Sequence, residues 1–114
     1  MSDMLNGLWT VEFETTMNRY GRGVLVINNG RALGGDTGYY YSGTCNAIDH
    51  KIDADLIIIR YHVNSTSVFG NLDYFQLRIN GKLDKYDFRA TGSIPEIPEM
   101  GILIKGKKKE DLES

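Results

Sequence analysis

The stretch Leu8-Trp9-Thr10-Val11-Glu12-Phe13-Glu14 alternates without a break: Trp9, Val11 and Phe13 fall on one side, Thr10, Glu12 and Glu14 on the other. A period of two is the signature of a half-buried β-strand. The composition extends that reading to the whole chain. Its 114 residues include 13 glycines, seven tyrosines, four phenylalanines and one tryptophan. Valine, isoleucine and threonine are abundant and alanine is scarce, a strand-forming mixture unsuited to a helical bundle. The glycines form no continuous run, so they punctuate turns and bends.

Moving outward from Leu8–Glu14, a second strand is expected over Val24–Asn28. Asn29-Gly30 follows, a pair that accepts positive φ and suits a two-residue hairpin. A short strand at Arg31-Ala32-Leu33 leads to Gly34-Gly35-Asp36, and Gly38–Cys45 forms the next, with Tyr39 and Tyr41 on one face and Tyr40 on the other. Asn46–Asp55 reads as a solvated acidic loop, Leu56–Val63 as the most apolar strand, and Asn64–Asn71 as a break. Tyr74–Asn80 alternates again and ends in a second hairpin signal, Asn80-Gly81. Lys85–Gly92 and Met100–Gly106 complete the set, separated by Ser93–Glu99, whose two prolines disfavour a central strand. Residues 107–114 are charged and read as a frayed tail, leaving one domain over residues 1–106.

About eight short strands joined by hairpins and short connections predict an all-β fold. We expect a single antiparallel up-and-down β-barrel in preference to a sandwich, because no Greek-key crossover is evident and closure removes the sheet edges.

Three strands are apolar on both faces. Val24 and Val26 lie opposite Leu25 and Ile27, Leu56 and Ile58 opposite Ile57 and Ile59, and Leu103 opposite Ile102 and Ile104. A small barrel has one interior, so the second face is either covered within the chain, by Asn64–Asn71 or Ile94–Met100, or forms an association site. Val24, Val26, Leu56, Ile58 and Leu103 are the interface candidates, and a homodimer is expected.

The formal net charge of −2 and a pI near 5.6 give no cationic footprint for nucleic acid. Met1-Ser2-Asp3-Met4 has neither the basic nor the apolar region of a secretory signal, and Leu56-Ile57-Ile58-Ile59 is far too short to span a membrane. A lone cysteine, Cys45, suits a reducing cytoplasm and makes Asn64-Ser65-Thr66 a chance sequon.

Catalytic chemistry is sparse. His62 reads as a rim or interface residue. His50 with Asp49, Asp53 and Asp55 lacks the spacing of a calcium loop or zinc motif, so no metal or other cofactor is expected. Gly21-Arg22-Gly23 lacks the third glycine of a dinucleotide fingerprint and reads as a bulge or bend. Cys45 has no cationic neighbour in sequence and reads as a buried, inert thiol. Tyr39, Tyr41 and Tyr61 are amphipathic and suit a barrel core near its mouth, a ligand pocket or an interface. Barrels of eight strands hold at most one small ligand, which makes a small apolar molecule an alternative partner.

Several pieces together resemble one family. Asn6-Gly7-Leu8-Trp9-Thr10-Val11-Glu12-Phe13, Gly21-Arg22-Gly23-Val24-Leu25-Val26, Asn29-Gly30, Gly34-Gly35-Asp36 with Tyr41-Ser42-Gly43, and Asp73-Tyr74-Phe75-Gln76-Leu77-Arg78-Ile79 are similar, in order and spacing, to the GrlR family of negative regulators of type III secretion gene expression. The likeness spans roughly Asn6 to Leu83. It implies a lipocalin-like, dimeric barrel without enzymatic activity that acts by binding protein, in the best-known case a helix-turn-helix transcription activator. That regulator's acidic run corresponds here to Ile52-Asp53-Ala54-Asp55, so Asp49, Asp53 and Asp55 become the partner-binding candidates.

Overall fold

In the computed structural model, which describes residues 4–62 and 72–112, the alternation of Leu8–Glu14 belongs to β1 (Gly7–Thr15). It is followed by β2 (Tyr20–Asn28), β3 (Arg31–Gly35), β4 (Tyr39–Ile48), β5 (Lys51–Arg60), β6 (Tyr74–Asp84), β7 (Asp87–Ile94) and β8 (Ile97–Asp111). Each strand pairs antiparallel with the next, and β8 pairs back onto β1, giving a closed up-and-down β-barrel of eight strands. Among the described residues no helix is long and apolar enough to cross a membrane. The Asn64–Asn71 break, its sequon and Val63 lie outside the described residues.

The turns are where local sequence is decisive. Asn29 and Gly30 have φ of 50° and 88° and close the β2–β3 hairpin, with Asn28 paired to Arg31. Positive φ at both central residues matches the twist of the flanking strands. The β4–β5 hairpin uses the same geometry with Asp49 (φ 52°) and His50 (φ 66°), and Ile48 paired to Lys51.

Four local expectations are corrected. Asn46–Asp55 is not a loop but the β4–β5 hairpin: Cys45, Ile52 and Ala54 are buried while Asp53 points outward. Its inward side chains are mostly small, so the alternation carries little apolar weight and the segment looks solvated. Asn80-Gly81 lies inside β6, and the turn falls at Lys85-Tyr86, between paired Asp84 and Asp87. Gly81 is needed for close approach: a Cβ there would sit 2.3 Å from the Arg89 carbonyl oxygen on β7. Gly21 and Gly23 make no bulge, because β1 and β2 pair in unbroken register. Gly23 instead leaves room for Tyr41, whose hydroxyl would be 2.7 Å from an added Cβ.

The fourth correction concerns the tail. Residues 107–111 belong to β8, which runs to Asp111 opposite Gly7 and completes the ring. The run looks frayed because its outward residues are charged. Lys108 is the exception: its side chain is 4% exposed, its Nζ lies 5.4 Å from the Trp9 ring centroid and 2.9 Å from Asp111 Oδ1. The prolines act at the other end of β8, Pro95 in the turn and Pro98 in a stretch without a β7 partner, beside the irregularity at Ser93/Ile94.

Candidate functional site

Inward-facing side chains divide the barrel into a filled half and a hollow half. In the filled half Trp9 is fully buried, its ring 5.0 Å from that of Phe88, and its Nε1 donates to the Leu5 carbonyl at 2.9 Å. The Phe88 ring lies so close to Gly106 that a Cβ there would meet it at 2.1 Å. Leu5, Ile27, Ala32 and Leu83 are buried with them.

The hollow half encloses a cavity of about 300 Å³. Val11, Phe13, Leu25, Ile58, Phe75 and Ile104 form much of its wall, and Tyr20, Arg22, Thr37 and Gly38 lie at its mouth. The space exists because Gly21, Cys45 and Ala54, all on its lining, are small where larger side chains would meet.

The polar side chains of Asp36, Tyr39 and Tyr41 are already engaged. Asp36 Oδ1 accepts from the backbone N–H groups of Gly38 (3.0 Å) and Tyr39 (2.9 Å), while Oδ2 accepts from the Tyr41 hydroxyl at 2.5 Å. The Tyr39 hydroxyl donates to the Leu72 carbonyl at 2.6 Å. Burial, then the hydrogen bond from Tyr41 to Asp36, pushes the Tyr41 hydroxyl well above its usual range. Burial, with a smaller contribution from Asp53, pushes the Cys45 thiol up to about 12, so it is neutral at physiological pH.

Of the three pocket tyrosines, Tyr39 and Tyr41 line the cavity. Tyr61 does not: its residue is 58% exposed and its hydroxyl donates to the Asp36 backbone carbonyl at 2.6 Å. Past the end of β5 it has left the inward register. Asp36 is the residue that sequence reading missed as a site residue. Its signal was the Asp36-Thr37-Gly38 order, in which an aspartate oxygen caps the amides that follow.

The outer wall carries the second feature. Cross-strand register places Leu8, Val26, Leu33, Ser42 and Ile57 in one row, and Thr10, Val24, Gly35, Tyr40, Ile59 and Tyr74 in the adjoining one. The two rows make a largely apolar belt: the first runs from β1 to Ile57 on β5 and ends at Gln76, with Ser42 accepting from Arg31 at 3.3 Å, and the second reaches Tyr74 on β6, with Val24, Leu33 and Tyr40 at 47%, 47% and 44% exposure. Val24 and Val26 stand in it, with 47% and 37% exposure. Leu56 and Ile58 do not, because β5 turns those side chains into the cavity and presents Ile57 and Ile59 outward. Leu103 is exposed but pairs with Glu14 and Thr91. A charged row of Arg89, Lys105, Glu12 and Arg22 separates it from the belt. The β7–β8 tip does approach one end, where Pro95 and Ile97 share a groove with Ile57, Tyr74 and Gln76.

The acidic candidates are split. Asp49 is in the β4–β5 turn, whereas Asp53 and Asp55 stand two apart on the outer face of β5, both reached by Arg78 at 3.9 and 3.4 Å. Asp55 Oδ1 is shielded and has no hydrogen-bond partner among the described residues. Nor do three or more metal-ligating side chains converge anywhere among those residues, the His50 turn included.

No family model matches this chain, and no curated protein matches it. The likeness to GrlR-type regulators therefore rests on the short sequence pieces alone.

Proposed function

We propose that this chain is a non-enzymatic, cytoplasmic regulatory protein that works by protein–protein binding as a dimeric barrel, in the manner of GrlR-type negative transcriptional regulators that sequester a helix-turn-helix activator. The observation that carries this reading is the two-row apolar belt. Monomeric soluble proteins rarely leave a contiguous apolar patch of that kind open, and such patches mark interaction surfaces. Large aromatic and branched side chains at its centre, with charged residues at its edges, match the anatomy of a protein interface. The outward Asp53 and Asp55 supply negative charge that favours a basic partner and speeds encounter. Arg78 offsets part of that charge.

Light scattering on the eluting full chain tests the reading. A dimer is expected for the wild type and a monomer for Val24→Lys combined with Leu33→Lys; a strict wild-type monomer overturns dimerisation through this belt. Asp53→Ala with Asp55→Ala should reduce co-purification of the native partner while changing stability by less than ~1 kcal/mol, because exposed pairs contribute little to folding. Undiminished co-purification removes the role given to the two aspartates.

A further inference from the structure

We propose that the hollow half of the barrel is a binding site for an uncharged, apolar small molecule of two to three rings, entered past Tyr20 and the Asp36–Gly38 turn. This goes beyond the association reading and does not depend on it, since the cavity lies on the opposite side of the wall from the belt.

The size follows from volume. An engineered cavity of about 150 Å³ lined by aliphatic and aromatic side chains stays dry and takes up benzene; this one is about 300 Å³. The polarity follows from the lining. Its walls are aliphatic and aromatic, and the hydroxyls of Tyr39 and Tyr41 already donate to Leu72 and Asp36. The Asp36 carboxylate in turn accepts three hydrogen bonds. Cys45 contributes a neutral, weakly polar thiol. Among the described residues Arg22 is the one cation on the lining, and it is an exposed residue at the mouth. An anion carried inward past Arg22 would lose its hydration, and a cation would meet only the Asp36 carboxylate, whose oxygens already accept three hydrogen bonds. Neutral ring systems or short alkyl chains lose nothing comparable.

Position favours a built site over a packing defect. The small residues Gly21, Cys45 and Ala54 come from three different strands, and Cys45 and Ala54 are direct cross-strand partners. A leucine or methionine at either position would occupy the space.

The test uses the full chain, unfolded and refolded to strip any carried-over molecule, and titrated with N-phenyl-1-naphthylamine, a neutral fluorescent probe. Saturable enhancement at one probe per barrel is expected. The related anion 1-anilinonaphthalene-8-sulfonate should bind at least tenfold more weakly. Ala54→Leu and, separately, Cys45→Met should each weaken probe binding at least tenfold with an equal or higher melting temperature, because they fill the void. Val24→Lys with Leu33→Lys should leave probe binding unchanged, which separates this site from the outer belt. The proposal is overturned if the wild type shows no saturable binding, if the anion binds as tightly, or if either filled variant, folded by circular dichroism, binds the probe as the wild type does. Two positions on different strands are used so that one variant failing to fold leaves the other to decide.

Discussion

The two halves of the barrel interior are built from the same alternating strands and end in opposite states. One is plugged by Trp9, Phe88 and the stem of Lys108; the other is left open by glycine, alanine and cysteine at the matching inward positions. Strand pattern dictates closure, and side-chain volume at a few inward sites then determines whether closure leaves a core or a container. Substitutions that act differently on the two halves measure that division directly.

The largest contrast is expected between the plug and the wall. Trp9→Ala removes a fully buried ring, its hydrogen bond to Leu5 and the contact with Phe88. It should cost on the order of 3–5 kcal/mol in chemical denaturation. Phe13→Ala, on a half-buried wall residue beside the void, should cost about 2 kcal/mol. Equal losses would mean that both halves are packed alike.

A smaller effect is expected at the mouth. Asp36→Ala leaves the N–H groups of Gly38 and Tyr39 and the Tyr41 hydroxyl without their acceptor, a loss of roughly 1–3 kcal/mol. Tyrosine fluorescence should change with it, since Tyr41 loses its carboxylate neighbour. An unaltered unfolding midpoint would show that the turn holds without the cap.

A further effect is confined to alkaline pH. The Cys45 thiol ionises near 9 in an exposed setting and at about 12 in the fold. Between those values the unfolded chain has released the proton and the native one has kept it, so stability falls as pH rises through that window. Tyr41, shifted in the same direction, adds to the fall at its upper end. Cys45→Ala should flatten the lower part of the curve; an identical pH profile would mean the thiol is solvated in the native protein.

Much of the architecture could be read from the chain. Period-two patterning placed Leu8–Glu14 in β1 and Tyr74–Asn80 in β6, apolar runs marked β2, β5 and β8, and Asn29-Gly30 marked its hairpin because positive φ at both residues lets flanking strands keep their twist. The misreadings share a cause. Asn80-Gly81 has the local chemistry of a turn, but Gly81 is required by the proximity of the Arg89 carbonyl on another strand, a distance no window of sequence contains. Lys107–Asp111 looks like a solvated tail because its partner, β1, lies at the opposite end of the chain. Assigning Leu56 and Ile58 outward was a choice between two equally apolar faces, and only the ring's inside could settle it.

The cavity was less legible than the strands. Tyr39 and Tyr41 could be paired on one face from their spacing, whereas the void beside them depends on Gly21, Cys45 and Ala54 coming together from three strands. Asp36 offered a turn signal, but its third hydrogen bond, from Tyr41, depends on the bend that brings β4 back over the turn.

The seam between β1 and β8 has a consequence for biosynthesis. While a nascent chain is still short of residues 97–111, β1 and β7 both expose raw backbone edges, and such edges are templates for intermolecular pairing. Only when the lysine-rich final strand emerges from the ribosome do both vanish at once. Its outward charge then serves the newborn molecule too, discouraging neighbours from zipping onto the gap before it shuts.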